Sequence, residues 1–243
     1  MTVTMPAMVR QQEAGWIALL DVAERVPNGW SLVGGQLVHL HCVERGESPP
    51  RPTTDLDTVL DVRAYPAMLR RFTAVLVDLG FHSDGQSSQG HQHRWKRGDG
   101  AQFDVLIPRH LGEVAANRRG VTGATTIAAP GSQQALDRTE TVEVGVAGRL
   151  GAVRRPNLIG ALVGKAATTQ ILIDPARERH QIDFATLASL LQIADLRGAE
   201  FSKLDRQYLG NMIFRVTDAK VDETVTGATR GIRMLRRALE PRG

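Results

Sequence analysis

Thr54-Asp55-Leu56-Asp57-Thr58-Val59-Leu60 carries the fold of this chain, because β-branched and apolar residues alternate there with carboxylates. That pattern predicts a strand over 54–62. Residues i and i+2 of a strand project from the same face, so Asp55 and Asp57 stand side by side. The alternate set, Leu56, Thr58, Leu60 and Val62, reads as the core face, and Val59 and Asp61 fall with the two aspartates. Asp61 lies about 13 Å beyond Asp57 along an extended strand, too far to share a metal with it, and reads as solvated or ion-paired. Paired carboxylates suit Mg²⁺, which takes oxygen ligands and is usually shared with substrate phosphates.

About twenty residues upstream stands Ser31-Leu32-Val33-Gly34-Gly35. Trp30–Val33 reads as a short strand and 36–43 as a helix opened by the two glycines. Such a turn lets backbone approach a phosphate closely, at a helix N-terminus whose free N–H groups favour anions. Taken with Asp55 and Asp57, this is the layout that metal-dependent transfer of a nucleotidyl group needs.

Working outward, apolar spacing predicts a helix over 9–26, stopped by Pro27-Asn28-Gly29. A polar loop follows over 44–52, and a second helix over 66–79, with Pro66 at its first turn and Gly80 as its stop. Segments 92–97 and 101–107 read as strands joined by Gly98-Asp99-Gly100, and 139–146 with 150–153 as a further hairpin. Between them, 112–134 has no clear period and reads mostly as loop. From Pro156 the pattern is helical, over 158–173, 181–194, 203–216 and 220–239. The expected architecture is α/β (α+β): a mixed β-sheet with flanking helices over 1–154, then a helical C-terminal domain over 155–243 that completes the site.

With 243 residues, 42% of them hydrophobic, the chain can build a proper core. No apolar run reaches the length of a membrane span, and the N-terminus lacks the order of a signal peptide. Cys42 is the single cysteine, so no intramolecular disulfide forms and a reducing cytoplasm is the expected setting. Net charge is only +4, but basic residues cluster at Arg94/Lys96/Arg97, Arg154/Arg155 and Arg230/Arg233/Arg236/Arg237. Either these are solvated faces or they meet a nucleotide or RNA.

Asp104 sits among apolar residues in Gln102-Phe103-Asp104-Val105-Leu106-Ile107. If its strand lies beside 54–62, Asp104 joins Asp55 and Asp57 in a three-carboxylate cluster that favours bound metal. The alternative is a strand cap or an arginine partner. Lys165 interrupts an otherwise small and apolar helix; it either reaches substrate or snorkels to solvent. Asp183 reads as a first-turn acid or a catalytic group. His39 and His41, two apart on a helix, do not face a common metal. His91 and His93 would share a strand face with no further ligand. Cys42 reads as a buried thiol rather than a nucleophile, and Trp30 and Trp95 as packing residues, with base stacking an option for Trp95.

The order Gly-Gly, then Arg-X-Thr-X-Asp-X-Asp (Arg51 to Asp57), then a later strand aspartate resembles the polymerase-β-like nucleotidyltransferase superfamily. Within it, the chain resembles the AbiEii/MenT-type toxins of type IV toxin–antitoxin systems, whose Val-X-Val-X-Gly order it meets with Val142-Glu143-Val144-Gly145 and a delayed Gly148, followed by Lys165, Arg177 and Asp183. The resemblance spans about residues 32–190. It implies that Gly34 and Gly35 cradle a nucleoside triphosphate, that Asp55 and Asp57 bind Mg²⁺, and that Lys165 contacts phosphate. Asp183 would be a further active-site carboxylate. Two features depart from the pattern: His180-Gln181-Ile182 precedes Asp183 where such toxins have Lys-Asp, and the 44–52 loop is long. The activity so implied moves a nucleoside monophosphate onto an acceptor hydroxyl with release of pyrophosphate. The acceptor would be tRNA and a cognate antitoxin the protein partner; a small molecule such as an aminoglycoside, a protein hydroxyl, or nucleotide binding without turnover are the rival readings.

Overall fold

Before the first helix the chain makes a short strand, β1 (Thr2–Thr4), that the pattern of apolar residues does not announce. Its Val3 is buried between exposed threonines, the alternation of a half-covered strand. The computed structural model describes residues 2–49 and 51–240; Pro50, inside the expected 44–52 loop, lies outside them. Trp16, Leu19, Leu20 and Ala23 drive α1 (Arg10–Arg25) into the core, and Gly29, at φ +82°, turns the chain into β2 (Trp30–Val33). There follow α2 (Gly34–Glu44), β3 (Asp55–Leu60), α3 (Met68–Asp78), β4 (His82–Ser83), β5 (Arg94–Lys96) and β6 (Gln102–Pro108).

The 112–134 stretch is not mostly loop. It contains α4 (Glu113–Ala116), β7 (Ile127–Ala129) and the start of α5 (Ser132–Asp137). These elements are too short for a period to show, and β7 is fixed by pairing with β6 rather than by its own sequence. The hairpin β8 (Thr139–Val146) and β9 (Arg149–Pro156) turns at Ala147-Gly148, both with positive φ.

The helical half begins with α6 (Leu158–Ala167), whose N-cap Asn157 accepts a hydrogen bond from the Gly160 N–H at 2.9 Å. The α-helix ends earlier than expected, passing at Thr168–Gln170 into a 3₁₀ turn. Next come α7 (Arg177–Ser189), α8 (Ile193–Leu196), α9 (Lys203–Asp218), α10 (Val221–Thr224) and α11 (Ala228–Leu239). The expected helix over 220–239 is thus broken in two, at Gly227 with φ +85°. Gly231 then lets α11 lie directly on α7: a Cβ there would stand 1.7 Å from the Ala188 carbonyl oxygen.

One sheet runs β2-β3-β6-β5-β4, with β7 also on β6; the other is β1-β8-β9. The β3–β6 pairing is parallel and the β2–β3 and β6–β5 pairings are antiparallel. Leu56, Leu60, Phe103, Val105 and Trp95 are buried beneath this sheet. Burial of Trp95 removes base stacking from its options. Val59, expected on the carboxylate face, is also fully buried, because the open face extends only over the first half of β3.

Candidate active site

The parallel register sets Asp57 directly beside Asp104, with Asp55 two residues earlier on β3. One carboxylate oxygen from each of Asp55, Asp57 and Asp104 can be chosen so that all three lie within 4.8 Å of one another. Among the described residues no other cluster of this kind occurs. Thr53 Oγ1 donates to Asp55 Oδ1 at 2.7 Å. Burial, and then the neighbouring charges of Asp55 and Asp104, push Asp57 up to about 7, against the pull of Lys165 and Arg94. Asp61, by contrast, sits outside the cluster and accepts the Ala64 N–H at 2.9 Å.

Val33 pairs with Asp57 across the sheet, so the chain leaving β2 enters α2 beside that carboxylate. Gly34 takes φ +74°, and a Cβ on it would fall 1.8 Å from Asp57 Oδ2; one on Gly35 would fall 2.8 Å from Thr53 Oγ1. Only glycine fits at either position without displacing the wall opposite. The two glycines therefore bring the N-terminus of α2, an electropositive end, against the acidic group.

Lys165 does not snorkel. Its buried Nζ donates to Asp183 Oδ2 at 2.6 Å. Arg51 closes a fork on the same carboxylate, Nε to Oδ1 at 2.9 Å and Nη2 to Oδ2 at 2.8 Å. Burial alone would raise the Asp183 pKa, but Lys165 and Arg51 together hold it below its ordinary value. Asp183 thus lies outside the three-aspartate cluster, tied to two cations. A cleft of about 190 Å³ opens beside these groups, bordered by Gly34, Asp57, Lys165, Leu37, Leu106 and His180. Burial, and then Lys165, pull His180 down to about 4, so its imidazole is neutral at pH 7.

Three arginines acquire partners that sequence patterning did not assign. Arg94 forks onto Asp104, Nε to Oδ1 at 2.9 Å and Nη2 to Oδ2 at 2.7 Å. Asp104 therefore combines both of its expected settings, the aspartate cluster and an arginine partner. Arg97 pairs with Asp99, and Arg155 with Glu44 and Glu140; Lys96 likewise pairs with Asp84. The first two basic clusters are thus largely spent on internal ion pairs, whereas Arg230, Arg233, Arg236 and Arg237 are exposed on α11. Arg51 was visible as the first residue of the Arg-X-Thr-X-Asp-X-Asp run, and its role follows only from the fold.

The residues set aside stay aside. His39 hydrogen-bonds the Arg51 carbonyl and His41 lies 3.0 Å from Glu44. His91 and His93 precede β5 rather than sharing a strand face. Burial pushes the Cys42 thiol up to about 12, which leaves it un-ionised and inert at neutral pH.

The donor set fits a small divalent cation: three hard oxygen ligands, crowded together where burial and then the neighbouring carboxylates raise the proton affinity of Asp57. Asp55, Asp57 and Asp104 are the residues that would hold it. The fold matches an antigenic nucleotidyltransferase-like protein from Paracoccidioides brasiliensis, with TM-score 0.51 and 14% identity over 89% of this chain and 94% of that one. This chain has a nucleotidyltransferase-like fold. A solution structure of the antibiotic-resistance factor ANT(2'')-Ia aligns over 89% of this chain and 98% of that one, with TM-score 0.47 and 14% identity, too loose a likeness to carry an argument. No protein-family model and no curated protein matches the sequence. No helix of the described residues is long and apolar enough to cross a membrane.

Proposed function

We propose that this protein is a Mg²⁺-dependent nucleotidyltransferase that moves a nucleoside monophosphate from a nucleoside triphosphate to an acceptor hydroxyl, releasing pyrophosphate. The observation that carries this reading is the Asp55–Asp57–Asp104 cluster lying against the Gly34-Gly35 start of α2. Asp55, Asp57 and Asp104 would hold Mg²⁺, which when bound would supply positive charge to offset that of the phosphates. The N–H groups at the start of α2 receive triphosphate oxygens. Lys165, whose ammonium spends one of its three donors on Asp183, turns the remainder toward phosphate. Asp183 with Arg51 orients that lysine.

The proposed acceptor is RNA, with a tRNA end as the form suggested by resemblance to the AbiEii/MenT-type toxins. Support comes from the exposed arginines of α11, which packs on α7, the helix that carries Asp183. In that reading the protein acts in the cytoplasm as the toxin of a pair, restrained by an antitoxin. The test is incubation with each labelled triphosphate in turn, total RNA and Mg²⁺, for wild type and Asp57→Asn. Label should enter RNA with wild type only and vanish with EDTA. Label on an aminoglycoside or on protein instead would replace the acceptor. Label on nothing, with nucleotide still bound, would make the chain a binding protein.

A further inference from the structure

Across three neighbouring strands the registers align Asp57 on β3, Asp104 on β6 and Arg94 on β5 in one row. The guanidinium at the end of that row covers both oxygens of Asp104. Asp104 is buried, while the Arg94 side chain keeps 39% of its surface exposed, so the arginine has room to leave and the aspartate does not. A cross-strand ion pair whose only task was to stabilise the sheet would not need the one carboxylate that completes an acidic cluster.

We propose that Arg94 is the resident counter-ion of the acidic cluster: it holds Asp104 while no metal is present and must give up at least one Asp104 oxygen for a divalent cation to bind. This rests on the metal reading of the cluster given above. A carboxylate oxygen can accept from two partners, but a guanidinium and a dication on the same two oxygens repel each other. Occupancy by Arg94 therefore lowers the fraction of molecules competent to bind metal, and apparent affinity falls by that fraction. The device gives the cluster a neutralising partner during folding, before any metal arrives. It also makes binding of bare metal weak, so that loading favours metal brought with a triphosphate, whose anionic oxygens can receive the released guanidinium.

The experiment measures Mn²⁺ binding to nucleotide-free protein, by the loss of the free-ion paramagnetic resonance signal. Wild type is compared with Arg94→Gln, Arg94→Lys and Lys96→Gln. Lys96 lies two residues along β5 and is paired with Asp84, so its variant removes one positive charge without uncovering Asp104. Arg94→Gln should bind Mn²⁺ about tenfold tighter than wild type. Arg94→Lys should gain less, because an ammonium still contacts the carboxylate without the two-point fork, and it serves as the test if the glutamine variant fails to fold. Lys96→Gln should stay within about twofold of wild type, as expected of a screened surface pair. Adding Asp57→Asn to Arg94→Gln should abolish the tight binding, which assigns it to the cluster. Binding to Arg94→Gln that is equal to or weaker than wild type overturns the proposal and leaves the metal reading standing. So does an equal gain in Lys96→Gln, which would make the effect one of net charge. Failure of every variant to bind Mn²⁺ overturns the metal reading, and the proposal with it.

Discussion

Asp57→Asn should make the metal-free protein more stable at alkaline pH, although it removes a central carboxylate of the site. Folding raises the proton affinity of Asp57 from its ordinary 3.8 to about 7. Between those values the folded chain holds this proton more tightly than the unfolded chain. The contribution of this group to stability is therefore complete below pH 3.8 and is lost as pH rises through about 7. At about 1.4 kcal/mol per tenfold change in proton affinity, the cost of ionising Asp57 in the fold is at most roughly 4 kcal/mol. Asp57 borders the open cleft, where solvent screens its charge, so roughly 1–2 kcal/mol is the expected size. Asparagine keeps the shape and removes the charge. In EDTA at pH 8 the variant should melt higher than wild type by roughly 2–8 °C for a chain of this length, and at pH 5 the gap should narrow, closing only as pH falls below 3.8. Taking the difference between the two proteins cancels the other carboxylates, several of which titrate in the opposite sense. Added Mg²⁺ should raise the wild-type melting temperature and leave the variant unmoved, since ligand stabilises only the form that binds it. Calorimetry at the two pH values decides the matter. A variant that melts at or below wild type in EDTA at pH 8 would refute the claim that its neighbours and burial strain this carboxylate.

Other perturbations bear on the rest of the site. Asp183→Asn leaves Lys165 and Arg51 without their shared carboxylate, and breaking a buried pair in this way costs about 3–5 kcal/mol; chemical denaturation should show it, and an unchanged midpoint would mean the pairing is dispensable. Gly34→Ala puts a methyl group 1.8 Å from Asp57 Oδ2, so transfer should fall by orders of magnitude while the fold loses only about 1–3 kcal/mol to backbone strain; near-normal turnover would remove the glycine turn from the mechanism. RNA labelling should decline steeply with salt, and in an Arg233/Arg236/Arg237→Ala variant the slope of log affinity against log salt should flatten by about 0.7 for each phosphate left without its arginine; labelling indifferent to both would detach α11 from the acceptor.

The acidic cluster was legible because its information is local. Alternation along β3 places Asp55 and Asp57 on one face, and a run of apolar residues around Asp104 marks a second buried strand. Arg94 was legible too, but only through register. The turn centred on Asp99 pairs residues whose numbers sum to 198, which sets Lys96 against Gln102, Trp95 against Phe103 and Arg94 against Asp104. The same arithmetic removes Arg94 from the basic patch that residues 94, 96 and 97 form in the sequence. The Arg51–Asp183 pair could not be found in this way, because 132 residues separate its partners and no ladder relates them. Likewise β1 pairs with β8 across most of the chain, and three residues hold no periodicity from which to infer it.

Charge balance ties these pieces into one device. Asp55, Asp57, Asp104 and Asp183 bring four carboxylates to the site, and Arg51, Arg94 and Lys165 bring three cations. Asp183 receives three donated hydrogen bonds on its two oxygens, which leaves it little capacity to take a proton or a metal and makes it the anchor of Lys165. Asp104 is matched by Arg94, and Asp55 is steadied by the Thr53 hydroxyl. Among the described residues Asp57 has neither a hydrogen-bond donor nor an ion-pair partner of its own. Four negative charges less three positive ones leave one unmatched, and the group without a partner is the group whose proton affinity is raised. As pH falls below neutral that deficit is met increasingly by a proton. A dication presented with a triphosphate at the start of α2 would meet it instead, displacing that proton from Asp57 and drawing Arg94 off Asp104.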